Sequence, residues 1–101
     1  YTHDFAKNAL EVVQSEMYGI YNMVCDGLTS RLDVAQEVIQ LMGLEDKIDL
    51  VEVTSEHFQE TYFAPRPLSE RLINRKLDYR NMNHMRNWKL ALREYLADYY
   101  S

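Results

Sequence analysis

Both prolines of the chain fall within three residues of each other, at Pro65 and Pro67, and they limit what the middle of the sequence can become. Each ring holds its own φ near −65° and pushes the preceding residue out of the α region, so residues 64–67 are expected to form a stiff, extended loop. Such a loop holds Arg66 in one place. Beyond it, Leu68, Leu72, Ile73 and Leu77 supply apolar anchors, while Ser69, Arg71, Asn74, Arg75 and Lys76 supply hydrogen-bonding groups suited to phosphate and sugar hydroxyls. The plain reading of the stretch is a surface loop entering a short strand and a turn of helix.

The same point divides the charge. Residues 1–63 carry twelve acids against three bases, and residues 64–101 carry eight bases against four acids, within a net charge of −5 over 101 residues. A small anionic ligand favours the second part, and pairing between the two parts within one fold accounts for the asymmetry equally well. The acidic total argues against a general nucleic-acid binder. An apolar content of 47% is enough for one modest core. No apolar run approaches the roughly 20 residues of a membrane-spanning helix. The single cysteine, Cys25, excludes an internal disulfide and points to a reducing compartment, with the cytoplasm as the expected location.

Along the chain, Thr2 or Asp4 is placed to cap a helix over residues 4–17, with Phe5, Ala9, Val12, Val13 and Met17 as its apolar positions and Lys7, Glu11, Gln14 and Ser15 exposed. His3 belongs to the turn before it. Residues 20–25 favour a strand, which Asp26-Gly27 breaks. Thr29-Ser30 followed by Asp33 is a capping box for a second helix carrying Leu32, Ala35, Val38, Ile39 and Met42, and Gly43 stands where a left-handed C-cap belongs. Residues 48–53 are expected to form a second, edge-like strand, because Asp49 and Glu52 would fall on opposite faces of the pleat.

Strand, helix, strand with short connections predicts a βαβ unit with parallel strands and a right-handed crossover. The expected fold class is therefore α/β or mixed α+β, packed by N- and C-terminal helices in a single domain. Residues 54–60 are read as one helical turn, with Phe63 assigned to the core and Tyr62 left open between core and ligand. Asp78 to Met85 reads as a polar turn. Asn87 caps a last helix in which Trp88, Ala91, Leu92, Tyr95 and Tyr99 recur at helical spacing, with Trp88 as the main anchor.

Four ordered stretches carry a resemblance. They are Tyr1-Thr2-His3-Asp4-Phe5-Ala6; Gly19-Ile20-Tyr21-Asn22 followed by Thr29-Ser30; Arg66-Pro67, Ser69, Leu72 and Lys76-Leu77; and Trp88-Lys89-Leu90-Ala91-Leu92 with Tyr95-Leu96. In this order the chain resembles the C-terminal, substrate-binding portion of the dTDP-4-dehydrorhamnose reductase family, a branch of the extended short-chain dehydrogenases. The resemblance implies NAD(P)H-dependent reduction of the C4 ketone of a dTDP-linked 6-deoxyhexose in dTDP-rhamnose synthesis. It also implies that these 101 residues are part of a larger enzyme whose N-terminal Rossmann domain holds the cofactor and the Tyr-x-x-x-Lys pair. Gly19, Gly27 and Gly43 are too far apart for a dinucleotide fingerprint, and no tyrosine has a lysine four residues on. No catalytic or cofactor residue is therefore expected in this chain.

The residues assigned to the nucleotide-sugar substrate are Arg66 and Ser69, then Arg71, Asn74 and Lys76. Ser30, Ser55 and Ser69 lack a nucleophile-elbow pattern, and His3, Cys25, His57 and His84 lack metal-ligand spacing, so neither a hydrolase nor a metal site is expected. Epimerases, dehydratases and non-catalytic regulatory subunits share the same architecture, and a protein-interaction module using the basic loop is the third reading.

Overall fold

The computed structural model describes residues 1–101 apart from Gln59, Tyr62, Phe63 and Arg66, so the expectations for Tyr62, Phe63 and Arg66 lie outside the described residues. The regular elements are helical: α1 (Thr2–Ser15), α2 (Arg31–Met42), a 3₁₀ turn (Ser55–Phe58), α3 (Arg75–Tyr79) and α4 (Trp88–Tyr100). The chain divides into two units, one of residues 1–28 and 72–101, the other of residues 29–71.

The expected βαβ unit is not there, and the α/β assignment is corrected to a helical fold. Among the described residues the only β pairing is an isolated parallel bridge between Asp26 and Asn87. Residues 20–25 form no regular element, and among the described residues the groups that meet their backbone are side chains and not a neighbouring strand. Residues 48–53 are exposed throughout and fall in the other unit. A strand persists only where a ladder takes up its N–H and C=O groups, so β-favouring composition alone does not make one.

In the first unit α1 begins two residues earlier than its apolar pattern predicts. His3, expected in the preceding turn, lies inside it. The helix buries Asp4 and Asn8, one turn apart, while Phe5, Val13 and Met17 are exposed. The helix thus turns a polar pair inward. Asn8 is completely buried, donating from Nδ2 to the Met82 carbonyl at 3.0 Å and accepting from the His84 N–H at 2.7 Å. Asp4 receives the Arg86 guanidinium through Nε at 2.9 and 3.1 Å and through Nη2 at 2.9 Å. Buried polar groups are tolerated when every one is paired, and here they are.

Leu77 of α3, Met82, and Ala91 and Leu96 of α4 are the buried apolar side chains around this network. Asn87 caps α4 by accepting the Lys89 N–H at 2.9 Å, as its position predicts. Trp88 is half-buried, and Tyr95 and Tyr99, expected in the core, are exposed. Their rings meet each other instead, at 5.2 Å between centroids.

The second unit is built around α2. Ser30 and Asp33 form the reciprocal capping box, with Asp33 N–H to Ser30 Oγ at 3.1 Å and Ser30 N–H to Asp33 Oδ2 at 2.8 Å. Gly43 closes the helix in the left-handed region, φ 62°, and Leu44 N–H returns to the Ile39 carbonyl at 2.9 Å. No described residue of this unit is fully buried.

Candidate functional site

Residues 19–22 follow α1 after a short turn, and α3 lies against them. One face of α3 presents Arg75, Lys76 and Tyr79, which with Ile20 and Asn22 line an open cleft of about 270 Å³. That is just under the roughly 300–1,000 Å³ of pockets that enclose a whole small ligand, so the cleft suits one portion of a larger molecule.

Two cations stand at its edge in different states. Lys76 Nζ donates to the Ile20 carbonyl at 3.3 Å and lies 4.7 Å from the centroid of the Tyr21 ring. An ammonium has three protons, so this contact leaves donors over. Arg75 makes no hydrogen bond or ion pair with a described residue, which leaves its planar set of five N–H donors open to an anion. Arg80, one turn beyond Lys76, donates to the Met17 carbonyl at 3.0 Å and to the Tyr21 hydroxyl, and its guanidinium lies 5.6 Å from the same ring. Tyr21 is thereby flanked by two cations. Gly19 suits its position because its φ of 143° is one that side chains resist; a Cβ there would come 2.5 Å from Lys76 Nζ, the far end of a flexible side chain that can shift aside.

Behind the cleft, Asn74 is buried. Its Oδ1 accepts the Val24 N–H at 2.9 Å, and its Nδ2 donates to the Val24 carbonyl at 2.7 Å and to Asn83 Oδ1 at 3.3 Å. Asn83 in turn donates to Asp78 Oδ1 at 2.7 Å.

A second cluster joins the ends of α1 and α4. The Tyr1 hydroxyl lies 2.9 Å from His3 Nδ1 and donates towards Glu94 at 3.4 Å and Asp98 at 3.3 Å, while Arg86 holds the other Glu94 oxygen at 2.6 Å. Partial burial, then the charges of Glu94 and Asp98, push the Tyr1 hydroxyl up to about 12. The Arg86 hydrogen bond holds the Glu94 carboxyl below its usual range. His3, Glu94 and Asp98 bring potential ligand atoms within 4.8 Å of one another, and the Tyr1 hydroxyl meets all three residues, tying the ends of α1 and α4.

Of the residues assigned from the sequence, Asn74 and Lys76 stand in the first unit, one behind the cleft and one on it. Ser69 and Arg71 are exposed in the second unit, and Arg66 lies outside the described residues. Sequence reasoning did not single out Ile20, Asn22 or Tyr79 for the cleft. The signal for the first two was the Gly19-Ile20-Tyr21-Asn22 motif itself. For Tyr79 it was the spacing of three and four residues from Lys76 and Arg75 on one helix.

The space beside Gly19 is taken by Lys76 and that beside Gly27 by Asn87 and Trp88, while Gly43 closes α2.

Compared with known families, residues 1–101 match a model for substrate-binding domains over their whole length. The chain belongs to the RmlD substrate binding domain family, the dTDP-sugar reductase-like family that the four ordered motifs resemble. No curated protein and no solved structure matches it. No helix among the described residues is long and apolar enough to cross a membrane.

Proposed function

We propose that this chain is the nucleotide-sugar-binding part of an NAD(P)H-dependent reductase that acts on the C4 ketone of a dTDP-linked 6-deoxyhexose, and that the cleft beside α3 receives the diphosphate of that substrate. The observation carrying this reading is the placement of Arg75 and Lys76, two cations with unused donors, at one open cleft lined by residues of two of the family-like motifs. A diphosphate offers several charged acceptors within one side chain's reach. Arg75 meets them with a planar fork, and Lys76 with a point charge steadied by the Ile20 carbonyl and the Tyr21 ring. Asn22 and Tyr79 add a polar amide and an aromatic face for the groups on either side of the diphosphate.

The hydride and the proton of the reduction would come from NAD(P)H and a Tyr-x-x-x-Lys pair on a Rossmann domain outside these residues, in a cytoplasmic enzyme. The role of this chain is to bind and orient, and to leave the ketone facing that domain.

Titration of the intact protein with thymidine diphosphate tests the reading. Replacing Arg75 and Lys76 together by alanine should weaken binding by tenfold or more, since a charge-assisted hydrogen bond contributes about 1.5–3 kcal/mol. Unchanged affinity in the double variant removes the cleft from the substrate site. NADPH oxidation with a dTDP-4-keto-6-deoxyhexose separates a reductase from an epimerase or a non-catalytic relative.

A further inference from the structure

Asn74 sits directly before the two cations of the cleft, yet its own polar atoms face away from ligand. An asparagine amide has two donor protons, and both are spent, one on the Val24 carbonyl at 2.7 Å and one on Asn83 Oδ1 at 3.3 Å. Its oxygen accepts the Val24 N–H at 2.9 Å, and the residue is 7% exposed. The amide thus gives Val24 the donor and acceptor pair that a neighbouring strand would give, from a single side chain. Among the described residues no strand does this job for residues 20–25, so their path depends on such contacts. Ile20 and Asn22 form one wall of the cleft and Arg75 and Lys76 the other. Asn74 immediately precedes the second wall in sequence, and it binds Val24, two residues beyond the end of the first. A weaker tie, Asn22 Nδ2 to the Ile73 carbonyl at 3.2 Å, comes from an exposed side chain and runs in the same register.

We propose that Asn74 is a positioning residue: it sets the spacing between the two walls of the cleft by binding the Val24 backbone, and it acts on ligand affinity through that spacing without touching the ligand. The proposal rests on the cleft being a ligand site, and its test has one arm that needs no ligand.

In that arm, amide hydrogen exchange is followed in the intact protein for peptides covering residues 20–26. Asn74→Ala should speed their exchange about tenfold or more, while peptides of α1 and α4 stay as protected as before. Unchanged exchange at 20–26 overturns the clamp. Equal acceleration in α1 and α4 also overturns it, because Asn74 would then serve only global stability. Should Asn74→Ala fail to fold, Asn74→Asp replaces it. This variant keeps the acceptor for the Val24 N–H, loses both donors, and should accelerate the same peptide.

In the second arm, thymidine diphosphate affinity is measured for Asn74→Ala, Lys76→Ala and the double variant, with inorganic pyrophosphate as the base-free probe. Asn74→Ala should weaken both probes about fivefold to tenfold, and the double variant should lose clearly less than the product of the single losses, as coupled neighbours do. Fully multiplicative losses would mean that Asn74 meets the ligand on its own account, which overturns the positioning role. If the unaltered protein binds neither probe, the cleft reading fails, and the exchange arm still decides the clamp.

Discussion

The two units of this chain are held by different means. In the first, segments far apart in sequence are joined by buried polar side chains: Asp4 to Arg86 across 82 residues, Asn8 to the Met82 carbonyl across 74, and Asn74 to Val24 across 50. In the second, the hydrogen bonds between described residues are local, among them the capping box of Ser30 and Asp33 and the left-handed close at Gly43, and no described residue is fully buried. A buried, fully paired amide fixes geometry because every alternative leaves a polar group unpaired. A cap fixes only the end of its helix. The cleft lies in the unit whose geometry is fixed.

The largest way to sharpen this contrast is Leu77→Ala. Removing a completely buried leucine from the first unit should cost about 2–5 kcal/mol, seen as a fall in the urea midpoint. The matching change Leu50→Ala in the second unit, at a position 41% exposed, should cost well under that, of the order of 0.5 kcal/mol. Equal losses from the two would break the comparison.

Next in size is Asn8→Ala, which leaves the Met82 carbonyl and the His84 N–H without their partner. Each orphaned group costs about 1–3 kcal/mol, so thermal unfolding should shift by several degrees. A shift no larger than that of a surface substitution would show that water takes the place of the amide. Ser30→Ala should then cost about 1 kcal/mol, with faster hydrogen exchange confined to the first turn of α2. Faster exchange in α1 or α4 would contradict a local cap.

The smallest effect is the pH dependence of the tie between α1 and α4. Glu94 has its carboxyl held low by the Arg86 hydrogen bond, so its contribution is present above the ordinary carboxylate range and is lost as pH falls through its own lowered value. Tyr1 behaves in the opposite sense. Its hydroxyl is pushed up to about 12, so its contribution is complete below about 10 and is lost as pH rises through 12. Urea midpoints followed against pH should decline at both ends. Glu94→Gln should flatten the acid arm and Tyr1→Phe the alkaline one. An acid arm unaltered in Glu94→Gln would place the sensitive carboxylate elsewhere.

What was legible in the sequence was local. Ser30, Asp33 and Gly43 announce both ends of α2, and Asn87 announces the start of α4, because caps act over three or four residues and need no partner from elsewhere. The four motifs likewise carried the family, since order along the chain is itself sequence information. The strands over 20–25 and 48–53 were misread because β-favouring composition states a preference without naming the partner that a ladder requires. The periodicity of α1 misled for a related reason. It finds an apolar stripe, while the residues turned inward, Asp4 and Asn8, are polar and become buried only because Arg86, Met82 and His84 stand ready to satisfy them.

For the candidate site, the sequence by itself named Lys76 and Asn74, and it placed a cluster of cations after the prolines. Only the tertiary structure decided that Arg75, Lys76 and Tyr79 share a cleft with Ile20 and Asn22, and that Asn74 points at Val24. A side chain's chemistry is written in its residue type. Its partner is chosen by where the backbone brings a complementary group, and between Asn74 and Val24 that group lies 50 residues away.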